Sequence, residues 1–385
     1  MPDAPLLWLA FSLLVINLLS ACLLALAGLR IPRLLDFPPA EGDDLPPLSV
    51  VVAARDEERH VEEAMRSLLA LDYPKLEAVA VDDRSTDRTG AILDEIAAAD
   101  PRLKVVHVTE LPDGWLGKCH ALHVGAGRAS GELILFTDAD VVMEPSLLRR
   151  AVRRLTDERL DHLTAVPAAP MPGVVLPAFI AAFSIYFALF TRPWRVRNPR
   201  SGAHVGIGAF NLLRAEVYRT IGGHAAIALR PDDDLKLGKL VKRGGFRQEL
   251  ANGVDLMRVE WYASVGELVR GLTKNMFAGV EYRLWMVVGT TILLPLLYVW
   301  PFAGIFIGPD AARLLNLADA LLILTMVGVA AARAGVRPGY AAGFPLITLL
   351  FVYILWRSTV VTLWTGGIAW RGTHYPLKQL KANRV

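Results

Sequence analysis

Residues 48–58 read LSVVVAARDEE, and the fold turns on how that stretch is read. Leu48–Ala53 is a short, continuous, valine-rich apolar run, the pattern of a strand buried on both faces. It breaks at once into Arg55-Asp56-Glu57, and a helical stretch, Glu57–Leu71, follows. The pattern recurs along the chain. Leu76–Val81 is a second strand, ended by Asp82-Asp83-Arg84-Ser85-Thr86-Asp87, and Thr89–Ala98 is a helix. Leu103–Val108 is a strand, Lys118–Ala129 a helix, and Leu133–Thr137 a strand that runs into Asp138-Ala139-Asp140. Strand–helix alternation at this spacing predicts a doubly wound, mainly parallel sheet. Ligands of such sheets bind beyond the carboxyl ends of the strands, so the polar residues that immediately succeed the apolar runs are the ones to weigh.

Three acidic clusters stand at such ends: Arg55-Asp56-Glu57, Asp82–Asp87 and Asp138-Ala139-Asp140. Two carboxylates one residue apart repel, and a divalent cation shared with phosphate relieves that repulsion. Any one aspartate has a plain structural use as a turn former or helix cap, which suits Asp82 or Asp87 taken alone. Three acidic strand ends in register point instead to a metal–diphosphate site. No G-x-G-x-x-G or G-x-x-x-x-G-K-[ST] loop is present, which argues against a dinucleotide oxidoreductase or a P-loop NTPase. Gly117-Lys118 opens a helix, where Lys118 and the helix N-terminus together suit a diphosphate. A solvated lysine in a loop reads equally well on that segment alone.

The 385-residue chain is 54% hydrophobic with a mean hydropathy of +0.39, and the excess lies at residues 6–29 and 284–367. A net charge of +3 is too small to argue for nucleic acid, and Cys22 and Cys119 fit neither a disulfide framework nor a metal spacing. Leu6–Leu29 is long enough to span a bilayer. The residues before it carry Asp3 and no Lys or Arg, unlike a signal peptide, and Arg30 and Arg33 come after it. An uncleaved anchor (residues 1–30), with the domain behind it on the cytoplasmic side, is therefore expected. Trp285–Ile307, Leu314–Ala332 and Ala341–Trp364 are further candidate spans in a membrane region over 284–367, the last carrying Arg357. A basic tail, 368–385, includes Arg371, Lys378, Lys381 and Arg384. Three full spans would put that tail outside, whereas its charge argues for inside. Val174–Phe190, with Arg192, Arg195, Arg197 and Arg200 behind it, suggests an interfacial helix with a basic edge (174–200), a buried core helix being the alternative.

The series VVVAARDEE (50–58), DDRSTD (82–87), GWLGKCHAL (114–122), FTDAD (136–140), GIGAFNLLRAEVY (206–218) and PDDDLKLGKLVKRGG (231–245) resembles the family 2 glycosyltransferases. It does so in the family's own motif order, over about residues 47–250. The resemblance implies the GT-A fold, a Rossmann-like α/β sheet, for a domain over 47–283, with N- and C-terminal transmembrane helices. The LP-x-GW-x-GK segment and the flanking apolar stretches look most like the hopanoid-associated, carotenoid-modifying and ceramide-glucosyltransferase-like branches.

The resemblance also implies roles. Ala53, Arg55, Glu57, Asp83, Lys118 and Asp138 match donor-nucleotide positions. Asp140, with Asp138, matches the motif that holds Mg²⁺ or Mn²⁺. Gly206 and Gly208 match a glycine-rich strand on the acceptor side. An ungapped count back from Leu240 and Gly244 puts Asp233 on the family's general base and Asp232 on the preceding acid, and an N-terminal helix cap is compatible with both. Together these matches imply an inverting transfer of one sugar from a nucleotide sugar, by resemblance a UDP-sugar, to a hydroxyl of a lipid or isoprenoid-type acceptor. The transfer would occur at a multi-pass, bacterial inner-membrane location with the catalytic domain cytoplasmic. A processive polysaccharide synthase is disfavoured because Leu268–Ala278 lacks a Q-x-x-R-W motif. A catalytically silent membrane scaffold is disfavoured by the intact acidic strand ends. Trp261, Tyr262, Lys274 and Asn275 suit an acceptor entrance or ordinary packing alike, and His120, His123 and His204 lack a shared metal spacing.

Overall fold

The structure, a computed structural model, describes residues 4–383 and 385; Asp3 and Arg384 lie outside the described residues. The chain divides into two compact units. One comprises Ile31–Ala168, Thr191–Glu260 and Lys378–Val385; the other takes the stretch up to Arg30, Ala169–Phe190 and Trp261–Leu377. The expected domain over 47–283 is thus interrupted, because the apolar stretch 169–190 and everything from Trp261 to Leu377 packs in the other unit.

The first unit is built on strands β1 (Leu48–Ala54), β2 (Leu76–Asp83), β3 (Leu103–Val108), β4 (Leu133–Asp138), β5 (Val142–Met143), β6 (His162–Val166), β7 (Asn211–Arg214), β8 (Gln248–Asn252) and β9 (Met257–Arg258). Seven of them form one sheet in the order β3-β2-β1-β4-β7-β6-β8, and β5 and β9 make a small antiparallel pair. β7 alone runs antiparallel to its sheet neighbours, β4 and β6. The continuous apolar run of β1 is explained by burial on both faces. Val50 and Val52 pack with Met65, Leu68, Leu148 and Val152, while Val51 packs with Leu122, Phe136, Leu213 and Leu237. Each fully buried valine contributes about 1.5–3 kcal/mol. Ala53 is opposite both Val81 of β2 and Asp138 of β4, so the three acidic strand ends lie level at the carboxyl edge of the sheet.

The second unit is helical. Ala4–Gly28, Val175–Arg195, Asp310–Arg333 and Pro338–Trp364 are long and apolar enough to cross a membrane by length and composition. The segment expected as an interfacial helix forms Val175–Thr191, and its Phe179, Ala182 and Ile185 sit in this unit's apolar core. The expected span Trp285–Ile307 is instead two helices, Leu284–Tyr298 and Trp300–Gly304. Pro301, at the start of the second helix, lacks the N–H donor that a continuous helix needs there, whereas Pro295 lies inside the first helix. Helix Phe344–Trp364 runs unbroken through Arg357, whose side chain lies on its exposed face. Inside the unit the buried Asn17 amide donates to both oxygens of the buried Asp319, at 3.0 and 3.1 Å, and to the Leu297 carbonyl at 3.0 Å. Part of the expected basic tail forms a hairpin of β10 (Gly367–Trp370) and β11 (Thr373–Pro376). Its two-residue turn has Arg371 and Gly372 both at positive φ, the twist that suits a tight hairpin.

Candidate active site

The loops after β1 and β2 clasp each other. Asp56 accepts from the Thr86 backbone N–H at 2.8 Å, Glu57 N–H donates to Thr89 Oγ1 at 2.8 Å, and Glu58 N–H donates to Asp87 at 3.1 Å. Asp56 and Arg84 take left-handed backbone conformations, with φ of 52° and 60°, to make this clasp. Asp82 and Asp87 are absorbed by it. Asp82 accepts from Ser85 N–H at 3.2 Å and pairs with His107 at 3.0 Å, and Asp87 caps the helix at Thr89 N–H. Asp83 is left out of the clasp, buried, with the Arg84 guanidinium forked across both its oxygens at 2.8 and 3.0 Å and Arg55 at 3.8 Å. The Arg55 Nε is buried without a hydrogen-bond partner. Gly117 lets the helix Gly117–Arg128 start against this pair, since a Cβ there would lie 2.3 Å from Asp83 Oδ2.

Lys118, the second residue of that helix, bridges the other two acidic clusters. Its Nζ lies 2.7 Å from Asp138 Oδ1 and 3.7 Å from Asp233 Oδ2. Burial opposes its charge, but Asp138, Asp233 and Asp234 hold its pKa well above the ordinary lysine value. Gly208 closes on the same group, and a Cβ there would sit 2.6 Å from Asp138 Oδ2. The three consecutive aspartates are sorted by their partners. Asp232 turns to the buried Arg230, with contacts of 2.9 and 3.0 Å, and to Lys236 at 3.5 Å. Asp234 accepts from Gly208 N–H at 2.9 Å, and Gly206 packs so tightly on it that a Cβ would lie 1.8 Å from the Asp234 carbonyl oxygen. Asp233 is buried and faces Lys118.

A cavity between these groups is lined by Lys118, Asp138, Asp233, Asn211, Thr137 and His224, among others. Burial, and after it the charges of Asp138 and Asp232, raises the Asp233 pKa despite Lys118. Burial and then Asp233 raise Asp234 to about 7. Of the expected catalytic pair, the structure therefore brings Asp233 to the cavity and holds Asp232 in an ion pair with Arg230. Asn211 and His224 line it without having been singled out in the sequence. His224 was readable only as part of the Gly222-Gly223-His224 turn, its Nδ1 held by Tyr218 at 2.8 Å.

Asp140 comes just after β4, and its Oδ1 is buried without a partner. Burial, then the charges of Asp138 and Glu57, push its pKa up to about 7. An orphaned carboxylate oxygen beside a second carboxylate is a donor set that suits a hard divalent cation such as Mg²⁺ or Mn²⁺. Among the described residues no three His, Cys, Asp or Glu side chains converge as a metal cage, so such an ion would take its remaining oxygens from substrate and water.

The doubly wound sheet, the level acidic strand ends and the lysine between them make a glycosyltransferase type of domain. Residues 49–222 match the family description "Glycosyl transferase family 2". Curated relatives include a 4,4'-diaponeurosporenoate glycosyltransferase from Staphylococcus haemolyticus, 25% identical over 63% of this chain and 64% of its own length. A beta-monoglucosyldiacylglycerol synthase from Synechocystis is 39% identical over 28% of this chain and 22% of its own length. The chain thus spans less than two thirds of these relatives. Among solved structures, a mannosyltransferase from Pyrobaculum calidifontis in complex with GDP-Man and Mn²⁺ shares the fold. Its TM-score is 0.53 at 21% identity, covering 94% of this chain and 99% of that one.

Proposed function

We propose that this chain is a membrane-associated, metal-dependent, inverting glycosyltransferase that moves one sugar from a nucleotide sugar to a hydroxyl of a lipid or isoprenoid-type acceptor. The observation that carries this reading is Lys118 Nζ held between Asp138, at 2.7 Å, and Asp233, at 3.7 Å. One lysine thereby links the expected diphosphate site to the expected base. The acceptor class is supported by the carotenoid and diacylglycerol names of the two relatives and by the four long apolar helices. A nucleotide-sugar donor with a divalent ion is supported by the complex of the mannosyltransferase that shares the fold. Its base is guanine, whereas the motif resemblance implies uracil, so both belong in any test. Arg30 and Arg33, after the first apolar helix, support a cytoplasmic catalytic domain.

In this mechanism Asp233 accepts the proton of the acceptor hydroxyl. The hydroxyl oxygen then bonds to the anomeric carbon, and the bond from that carbon to the donor phosphate oxygen breaks with inversion. Lys118 holds positive charge beside the departing diphosphate, and Asp83, Arg84 and Arg55 form the pocket for the nucleoside. Asp140 and Asp138 would hold a Mg²⁺ or Mn²⁺ ion, which would supply further positive charge for the diphosphate. The absence of Q-x-x-R-W in Leu268–Ala278 supports single transfer over chain extension.

The test uses detergent-solubilised full-length protein with Mg²⁺ or Mn²⁺, a panel of labelled UDP- and GDP-sugars and a lipid extract. Label entering the organic phase as a product of fixed mass, and lost in Asp233→Asn and Asp140→Ala, is the expected result. A ladder of products would establish the polymer-forming alternative. No transfer together with no donor binding would sink the enzyme reading and leave a scaffold.

A further inference from the structure

Beneath the cavity runs a chain of buried amide and imidazole groups whose direction is fixed at one end by the backbone. The Val205 N–H donates to Gln248 Oε1 at 3.0 Å, and Gln248 Nε2 donates to the Gly238 carbonyl at 2.9 Å. A backbone N–H can only donate and a carbonyl can only accept, so the Gln248 amide has one possible orientation. Its Nε2 therefore donates to His162 Nδ1, at 2.9 Å, which makes that nitrogen the acceptor. His162 is fully buried, and its burial holds the pKa down to about 4, so the ring is neutral and carries its proton on Nε2. That proton goes to Asn211 Oδ1 at 3.0 Å. With the oxygen of Asn211 committed below, its Nδ2 is the end of the amide left for the cavity, where Lys118, Asp138, Asp233, Asp234, Thr137 and His224 are the other polar lining residues.

Accepting the transferase reading, we propose that Asn211 is a specificity-determining contact in which the Nδ2 amide donates a hydrogen bond to an oxygen of the bound nucleotide sugar. His162 and Gln248 are positioning residues that keep that donor facing the cavity. The relay explains why polar side chains sit at His162 and Gln248, each at most 1% exposed in the sheet core. A donor at this point discriminates. A substrate lacking the matching oxygen leaves a buried N–H unpaired, and one hydrogen bond to a neutral group is typically worth about tenfold in affinity.

The experiment measures binding of the nucleotide sugar and of the bare nucleoside diphosphate by calorimetry, with transfer kinetics, for wild type, Asn211→Ala, Asn211→Asp and Gln248→Met. Histidine ¹⁵N chemical shifts report the His162 tautomer independently of activity. The expected result is an Nε2–H tautomer in wild type. Nucleotide-sugar affinity falls roughly tenfold in Asn211→Ala and further in Asn211→Asp, with a smaller loss in Gln248→Met. If the bare diphosphate weakens equally, the partner is a phosphate oxygen; if it does not, the partner is a sugar hydroxyl. An active wild type whose Asn211 variants bind and react unchanged, or an Nδ1–H tautomer, would overturn the inference. An inactive wild type that binds no donor fails the transferase reading instead.

Discussion

Each of the two units buries carboxylate, and they treat it in opposite ways. In the helical unit Asp319 has both oxygens held by the neutral amide of Asn17, and that amide is also tied to the Leu297 carbonyl. Both carboxylate oxygens there have a partner inside the protein, and the unpartnered atom is the Asn17 amide oxygen. In the sheet unit Lys118 contacts Asp138 and Asp233 and its charge also acts on Asp140 and Asp234, Asp140 keeps an unpartnered oxygen, and Asp140 and Asp234 are pushed up to about 7. Four acids sharing one cation make a site whose charge is completed from outside. The first arrangement is a lock between helices; the second is a site poised for substrate.

That contrast can be broken most severely at Asp233. Asp233→Asn is expected to lower kcat about a hundred- to ten-thousand-fold with little change in melting temperature, because in the proposed mechanism it removes the proton acceptor and leaves the packing. Asp232→Asn, which loosens the Arg230 pair, should cost stability more than it costs chemistry. Equal kinetic losses for the two variants would erase the distinction between them.

The next largest effect belongs to the lock. Asn17→Leu strands the buried Asp319 and is expected to destabilise the protein in detergent by roughly 3–5 kcal/mol, whereas the double replacement with Asp319→Leu recovers most of that loss. A double variant no better than the single one would show that the pair contributes net stability. Two glycines then separate structure from chemistry in the sheet unit. A Cβ on Gly206 meets the rigid Asp234 backbone at 1.8 Å, so Gly206→Ala is expected to cost stability by about 1–3 kcal/mol. In Gly208→Ala the Cβ meets the Asp138 carboxylate at 2.6 Å, so the melting temperature should hold while donor affinity falls.

Lys118→Met sharpens the electrostatic half of the comparison. Removing the cation that lowers the Asp233 pKa raises that pKa further, so the acid limb of kcat/KM is expected to move to higher pH. A limb that stays in place would mean that Lys118 does not act on the base. The smallest effect is at His107, whose pKa is raised by Asp82 and then Asp94. Its contribution to stability is complete below the ordinary histidine range and fades as pH rises through the elevated folded value. Thermal melts across that window should flatten slightly in His107→Gln.

β1, β2 and β4 were legible as buried apolar runs closed by polar residues, and β3 as a short valine-rich edge run with Lys104 and His107 exposed; they stand at 48–54, 76–83, 133–138 and 103–108. β6, β7 and β8 were not. His162, Thr164, Asn211 and Gln248 are polar residues in the sheet, and what permits their burial is a set of hydrogen-bond partners distant in sequence. The helix expected from Glu57 begins at Val61, since Asp56 takes a left-handed turn set by Ser85 and Thr86. In the same way the run of three aspartates could be counted but not sorted, because Arg230, Gly208 and Lys118 decide which carboxylate faces the cavity.

The strand order also sets a timetable. β7 lies between β4 and β6, yet it comes after both in the chain, and the apolar helix Val175–Thr191 is translated between β6 and β7. At ordinary synthesis rates the edge of β4 waits on the order of ten seconds for its partner. Throughout that interval a bare hydrophobic strand and a freshly made membrane-type helix are exposed together, and open edges of this kind recruit other chains. Early burial of the helix and pairing of β7 would close that window, and delay in either should favour aggregation over mere loss of activity.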